Sequence, residues 1–159
     1  MIRTFVINIL SLVLLPTLLS CEMIPDPIVT DLPEEEPVTM PAAIKISVSG
    51  KSLPVKIEDN VATRALVAAL REASITFEAH DYGGFEKVGG LGRTLPSSDS
   101  QMTTQPGDVI LYSGNQIVLF YGSNSWSYTR IGKMQYGTLD ELKTFLQAGK
   151  GNISVTLSL

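Results

Sequence analysis

From Ala42 to the end, the chain runs in short segments in which apolar and polar side chains alternate, and this period of two constrains the fold more than any other feature. Successive side chains on a strand point to opposite faces, so an alternating run is a strand with one buried face. Ile44, Ile46 and Val48 make one such run, and Leu53, Val55 and Ile57 make another across the turn residues Ser49-Gly50-Lys51. Together they read as a hairpin. Ile75, Phe77 and Ala79 begin a further strand, Tyr128 to Met134 gives another, and Ile153, Val155 and Leu157 close the chain. The strongest hairpin joins Asp108 to Tyr112 with Gln116 to Tyr121 through Gly114-Asn115, entered from the turn Pro106-Gly107.

Two segments change period. Ala62, Ala65, Leu66, Ala69 and Leu70 fall on one helical face behind Asp59 or Asn60 as the cap, with an end near Ala73. Thr138 and Glu141 form a capping box ahead of Leu139, Leu142, Phe145 and Leu146, with Gly149 as the stop. About seven or eight short strands with two short helices are too few helices for an alternating parallel design, so a mainly β, mostly antiparallel barrel or sandwich is expected. First and last strands of the domain can pair and remove an exposed edge. Between Asp81 and Gly92 five glycines fall within ten residues, which reads as loops and bends.

The first forty residues are of another kind. Arg3 precedes a mainly apolar stretch, Phe5 to Leu19, that is shorter than the roughly 20 residues a membrane-crossing helix needs and matches the roughly 7 to 15 of a secretory signal. Its end, Leu18-Leu19-Ser20-Cys21, resembles the lipobox of bacterial lipoproteins. That resemblance implies a signal peptide over 1–20, diacylglycerol and a fatty acyl group such as palmitate on Cys21, and a membrane lipid partner in the cell envelope, with the outer membrane favoured by Glu22. More than one acyl chain is what stable anchoring requires. Residues 21–41 then carry prolines at 25, 27, 33, 37 and 41 and, from Glu22, six acidic residues with no basic one. Such a tether rises about 3.1 Å per residue and spans up to roughly 60 Å.

Charge and composition exclude several functions. The net charge of −4 sits in the tether: residues 42–159 hold eleven Lys and Arg against ten Asp and Glu. No basic stripe exists for nucleic acid. Cys21 is the only cysteine and His80 the only histidine, so neither an internal disulfide nor a metal-ligand spacing is available, and no cofactor is expected. The glycine segment lacks the Lys-Ser ending of a phosphate loop. His80 next to Asp81 is a nominal base, with Ser97, Ser98 or Ser123 as nominal nucleophiles, but no motif joins them.

The segment Asp81 to Gly92, together with Gln105-Pro106-Gly107-Asp108-Val109-Ile110-Leu111-Tyr112 and Gly114 to Arg130, resembles the bacterial cyclophilin-like family, and the resemblance extends over 42–159. It implies a closed eight-stranded barrel with helices over its open ends. Cyclophilins lower the amide rotation barrier of about 18 to 20 kcal/mol with an arginine beside a proline pocket; the corresponding strand here, Ile75 to His80, carries Glu78 and His80 and no arginine. The resemblance therefore implies a lipid-anchored barrel that binds a peptide or small ligand without the isomerase chemistry of the cyclophilins. The alternative is a peptidyl-prolyl cis-trans isomerase acting on envelope proteins, with Arg93 or Arg130 as substitute. The expected cleft lies between two walls: Tyr82, Phe85 and Glu86 on one side, and Tyr121, Ser123, Asn124, Trp126, Tyr128 and Arg130 on the other. Aromatic rings interleaved with polar groups are what a ligand site needs.

Overall fold

A computed structural model describes residues 39–159, which lie in one compact unit, Pro37–Leu159. The signal segment, Cys21 and the tether up to residue 38 lie outside the described residues. The described residues form nine strands and two helices: β1 Ala43–Val48, β2 Lys51–Ile57, α1 Val61–Glu72, β3 Ile75–Tyr82, β4 Glu86–Gly90, β5 Ser100–Thr103, β6 Asp108–Tyr112, β7 Gln116–Phe120, β8 Ser125–Met134, α2 Leu139–Phe145 and β9 Ile153–Ser158. All pairings are antiparallel, in the order β2-β1-β9-β3-β4-β7-β6-β8-β5, and β2 also pairs with β8. That last ladder closes eight strands into a barrel and leaves β5 as an extra strand, so the fold is mainly β. The expected pairing of first and last strands occurs, with Ile46 opposite Leu157.

Alternation decides the interior. Ile44, Ile46, Val55, Val109, Leu111, Ile117, Leu119, Val155 and Leu157 point inward and are fully or almost fully buried. Both helices add their apolar faces to the same core, through Leu66, Val67 and Leu70 of α1 and through Leu142 and Phe145 of α2. Asn60, not Asp59, caps α1: its Oδ1 accepts the Thr63 N–H at 3.0 Å while its amide donates to the Arg130 carbonyl at 2.7 Å. The Thr138–Glu141 capping box forms as expected.

The structure departs from the sequence reading in four places. The glycine segment contains a strand, β4, because Gly89 lets β4 lie against β3, where a Cβ would strike the Glu78 carbonyl and the Phe77 ring. Ser100–Thr103, a polar stretch to which the pattern assigns no strand, is β5 and pairs with the first half of β8; its mostly exposed, polar side chains hide it from a pattern argument. The β6–β7 turn spans three residues, since Tyr112 faces Gln116 and the left-handed positions are Ser113 and Gly114. Helix α2 ends at Phe145, where Gln147 rather than Gly149 takes the first left-handed conformation.

Candidate functional site

Strand β8 is longer than its partner in the barrel. β6 follows it only from Leu111 opposite Thr129, so Ser125–Tyr128 overhang the barrel and pair with β5. Beneath the overhang, β6 and β7 have apolar side chains on both faces: Ile110, Val118 and Phe120 point out of the barrel and, with Tyr128, form a second small core. Phe85, Val88 and Met102 pack on it. The Phe85 and Phe120 rings lie parallel at 6.2 Å, and Tyr128 meets both Phe120 and Tyr112 edge-on at 5.8 and 5.9 Å, geometries that aromatic quadrupoles favour.

A cleft of about 480 Å³ opens on this outer face. β3 contributes His80 and Tyr82, β4 contributes Glu86, Val88, Gly89 and Gly90, the β6–β7 hairpin contributes Tyr112, Gln116 and Val118, and the overhang region contributes Asn124, Trp126 and Tyr128. The Asn124 amide donates to the Tyr128 hydroxyl at 2.9 Å, tying the loop to the floor. Tyr82, Tyr112 and Trp126 stand 62%, 36% and 56% exposed at the rim, and they are the only exposed large aromatic side chains among the described residues.

The turn that leads into Glu86, the first residue of β4, is held by backbone bonds. The Tyr121 and Gly122 amides both donate to the Phe85 carbonyl, at 2.9 and 2.8 Å. Gly122 has no room for a side chain, because its Cβ would lie 2.6 Å from the Phe85 Cβ. Glu86 faces Phe120 across the ladder and is 5% exposed. Its side chain makes neither hydrogen bond nor ion pair among the described residues, and Oε2 is buried. Burial pushes its carboxyl up to about 7. Burial also raises the Tyr128 hydroxyl, with the Asn124 bond opposing and the Glu86 and Tyr112 charges adding to the rise.

The next residue, Lys87, points the other way and is fully buried. Its ammonium sits 2.9 Å from Asp81 Oδ2 and donates to the Gly151 carbonyl. Asp81 also accepts from the Tyr121 hydroxyl and the Gly149 and Gly151 amides. Burial works to raise the Asp81 carboxyl, but those donors outweigh it and hold it at about 2. Burial, then Asp81, pushes Tyr121 up to about 12.

Of the residues expected from sequence, Tyr82, Glu86, Asn124, Trp126 and Tyr128 line this one cleft. The other four stand elsewhere. Phe85 is packed on the second core, and Tyr121 turns into the main one to reach Asp81. Ser123 donates to the Thr104 carbonyl at 2.7 Å. Arg130 lies between Asp108 at 3.3 Å and Glu58 at 3.7 Å, against the Met102 sulfur. Among the described residues no arginine lines the cleft, and Arg93 is exposed on the loop after β4. His80 and Asp81, being consecutive on β3, point to opposite faces and form no pair. Sequence reasoning missed His80, Val88, Tyr112, Gln116 and Val118. The signal was available: the unbroken apolar runs Val109-Ile110-Leu111 and Ile117-Val118-Leu119-Phe120 mark strands covered on both faces.

Comparison with known proteins agrees with this architecture. The solution structure of the hypothetical protein AF2241 from Archaeoglobus fulgidus superposes with a TM-score of 0.51 at 17% sequence identity, covering 74% of this chain and 93% of that chain, a likeness of fold. No curated protein matches the chain. Residues 46–158, well over half of the sequence, match the profile of the Cyclophilin-like family. The chain therefore belongs to the cyclophilin-like family.

Proposed function

We propose that this protein is a lipid-anchored, cyclophilin-like barrel of the bacterial cell envelope that binds a peptide or small ligand in the outer cleft, without the isomerase chemistry of the cyclophilins. The observation that carries the ligand reading is the gathering of Tyr82, Tyr112 and Trp126 at the rim of one concavity above an apolar floor. Exposed aromatic rings cost free energy in water and cluster where a partner covers them. Trp126 is the only tryptophan, so its emission reports on this cleft alone. A screen of short peptides and small metabolites is expected to yield saturable changes in that emission, absent in a Tyr112→Ala, Tyr128→Ala double variant that stays folded; a silent library would sink the reading.

Isomerisation is disfavoured by the lining, which among the described residues offers no arginine to the amide. A prolyl-peptide assay on the full chain is expected to show no acceleration above background. Acceleration that Arg93→Ala or Arg130→Ala abolishes would reverse this conclusion. The anchor rests on Leu18-Leu19-Ser20-Cys21 following the apolar stretch. Cells grown with labelled palmitate are expected to label the wild-type chain in the membrane fraction, and Cys21→Ala is expected to lose both label and membrane association.

A further inference from the structure

We infer that the ligand of the outer cleft is an organic cation, an alkylammonium or guanidinium group, held with Glu86 as its counter-ion and the aromatic rim as its walls. This rests on the ligand-binding reading above and names the chemistry the cleft selects.

Glu86 is buried to nineteen-twentieths and lines the cleft, with Oε2 unpartnered. The two other buried orphan atoms among the described residues are different in kind. Asp108 Oδ1 has Lys133 at 3.8 Å, and the Arg130 guanidinium is flanked by Asp108 and Glu58. Of these three, Glu86 alone has no countercharge among the described residues. A buried carboxylate without donors is costly to the fold, and its cost is removed when a donor-bearing cation arrives.

The walls agree with the floor. Tyr82, Tyr112, Trp126 and Tyr128 line the same space, and aromatic rings attract cations, Trp most strongly. Among the lining residues no Lys or Arg opposes a positive guest, and His80, at the exposed end of β3, is the sole side chain able to carry positive charge. The Gln116 and Asn124 side-chain carbonyls can accept further N–H groups. An anion would meet the Glu86 charge with no Lys or Arg of the lining to offset it. A neutral apolar guest would bury the carboxyl further and leave it unpaired. The size of the cleft suits a small amine or one long basic side chain of a peptide, and both sources bring the same group.

The experiment titrates the full chain at about pH 8, where Glu86 is mostly ionised, with butylammonium, butylguanidinium, 1-butanol and butyrate, reading Trp126 emission, alongside the capped tripeptides Gly-Lys-Gly and Gly-norleucine-Gly. The expected result is binding of the two cations at least about tenfold tighter than the alcohol, with no binding of butyrate. A tighter Gly-Lys-Gly than butylammonium names a peptide as the source, and the reverse names a free amine. Glu86→Gln is expected to lower cation affinity to that of the alcohol while leaving the alcohol unchanged. Tyr112→Leu, which removes a ring and spares the carboxyl, is expected to weaken only the cation arms. Alcohol or norleucine binding as tight as the cations, or a cation preference that survives Glu86→Gln, would overturn this inference and leave the binding reading standing. Silence from every probe would overturn both.

Discussion

Glu86 and Lys87 are neighbours in sequence and opposites in environment, because adjacent positions of β4 face different sides of the sheet. Glu86 carries its raised carboxyl among His80 and Tyr82 of β3, Tyr112 of β6 and Tyr128 of β8, with Tyr121, Lys87 and Asp81 on the barrel side. The folded chain thus holds a proton on Glu86 that the unfolded chain releases near 4.5, and stability falls as pH rises from there through about 7. A shift of this size corresponds to about 3 kcal/mol. Glu86→Gln is expected to be more stable than wild type at pH 8 by up to about 3 kcal/mol and to match it near pH 4, as read by urea denaturation at the two pH values. Asp81 has the opposite sign: held at about 2, it contributes stability that is present above about 3.8 and is lost as pH falls toward 2. Lys87→Met removes its fully buried partner but leaves the Tyr121, Gly149 and Gly151 donors. A loss of about 2 kcal/mol at pH 7 is expected, below the roughly 3 to 5 typical of a buried pair broken outright.

At the scale of elements, the cleft exists because two connections are pinned to each other. The Phe85 carbonyl takes both the Tyr121 and Gly122 amides, and Gly122 alone permits that approach. Gly122→Ala forces the chain away from the Phe85 backbone and is expected to cost about 1 to 3 kcal/mol. It should also shift Trp126 emission in the folded state, because the overhang begins three residues later at Ser125; an unchanged spectrum with unchanged stability would show that the contact is dispensable. Which elements form was largely readable beforehand. Each barrel strand except β4 carries its own apolar alternation or run, and the two helices carry caps and periodic faces. β4 and β5 were not readable, since Glu86-Lys87-Val88-Gly89-Gly90 and Ser100-Gln101-Met102-Thr103 hold too few apolar residues to show a period. Their strand state comes from the partners they meet, β7 and β8.

The molecule as a whole depends on closure. β9, the last element in the chain, lies between β1 and β3, and the β2–β8 ladder joins the remaining edges. A chain stopped after Gly151 would open two ladders at once and remove Ile153, Val155 and Leu157 from the core. It is expected to lose its cooperative thermal transition by circular dichroism, whereas removal of Leu159 alone, exposed and outside β9, should shift the melting temperature by no more than a few degrees.

The alternation after Ala42, the caps at Asn60 and Thr138, and the glycine turns are local facts, so the amino-acid sequence by itself determined the class of fold, the helices and most strands. It also supplied five of the cleft's residues, because aromatic and polar side chains concentrated in two short segments stand out without coordinates. Tertiary structure alone decided which of them share a cavity. The face a strand residue takes depends on register, and register placed Glu86 on the outer side and Lys87 within, sent Tyr121 inward to Asp81, and set Arg130 between Asp108 and Glu58. The isolation of Glu86 is likewise a property of long-range packing: its ladder partner is Phe120, and the segments that line the cleft beside it, carrying Tyr112, Val118 and Tyr128, bring no hydrogen-bond donor to Oε2 among the described residues.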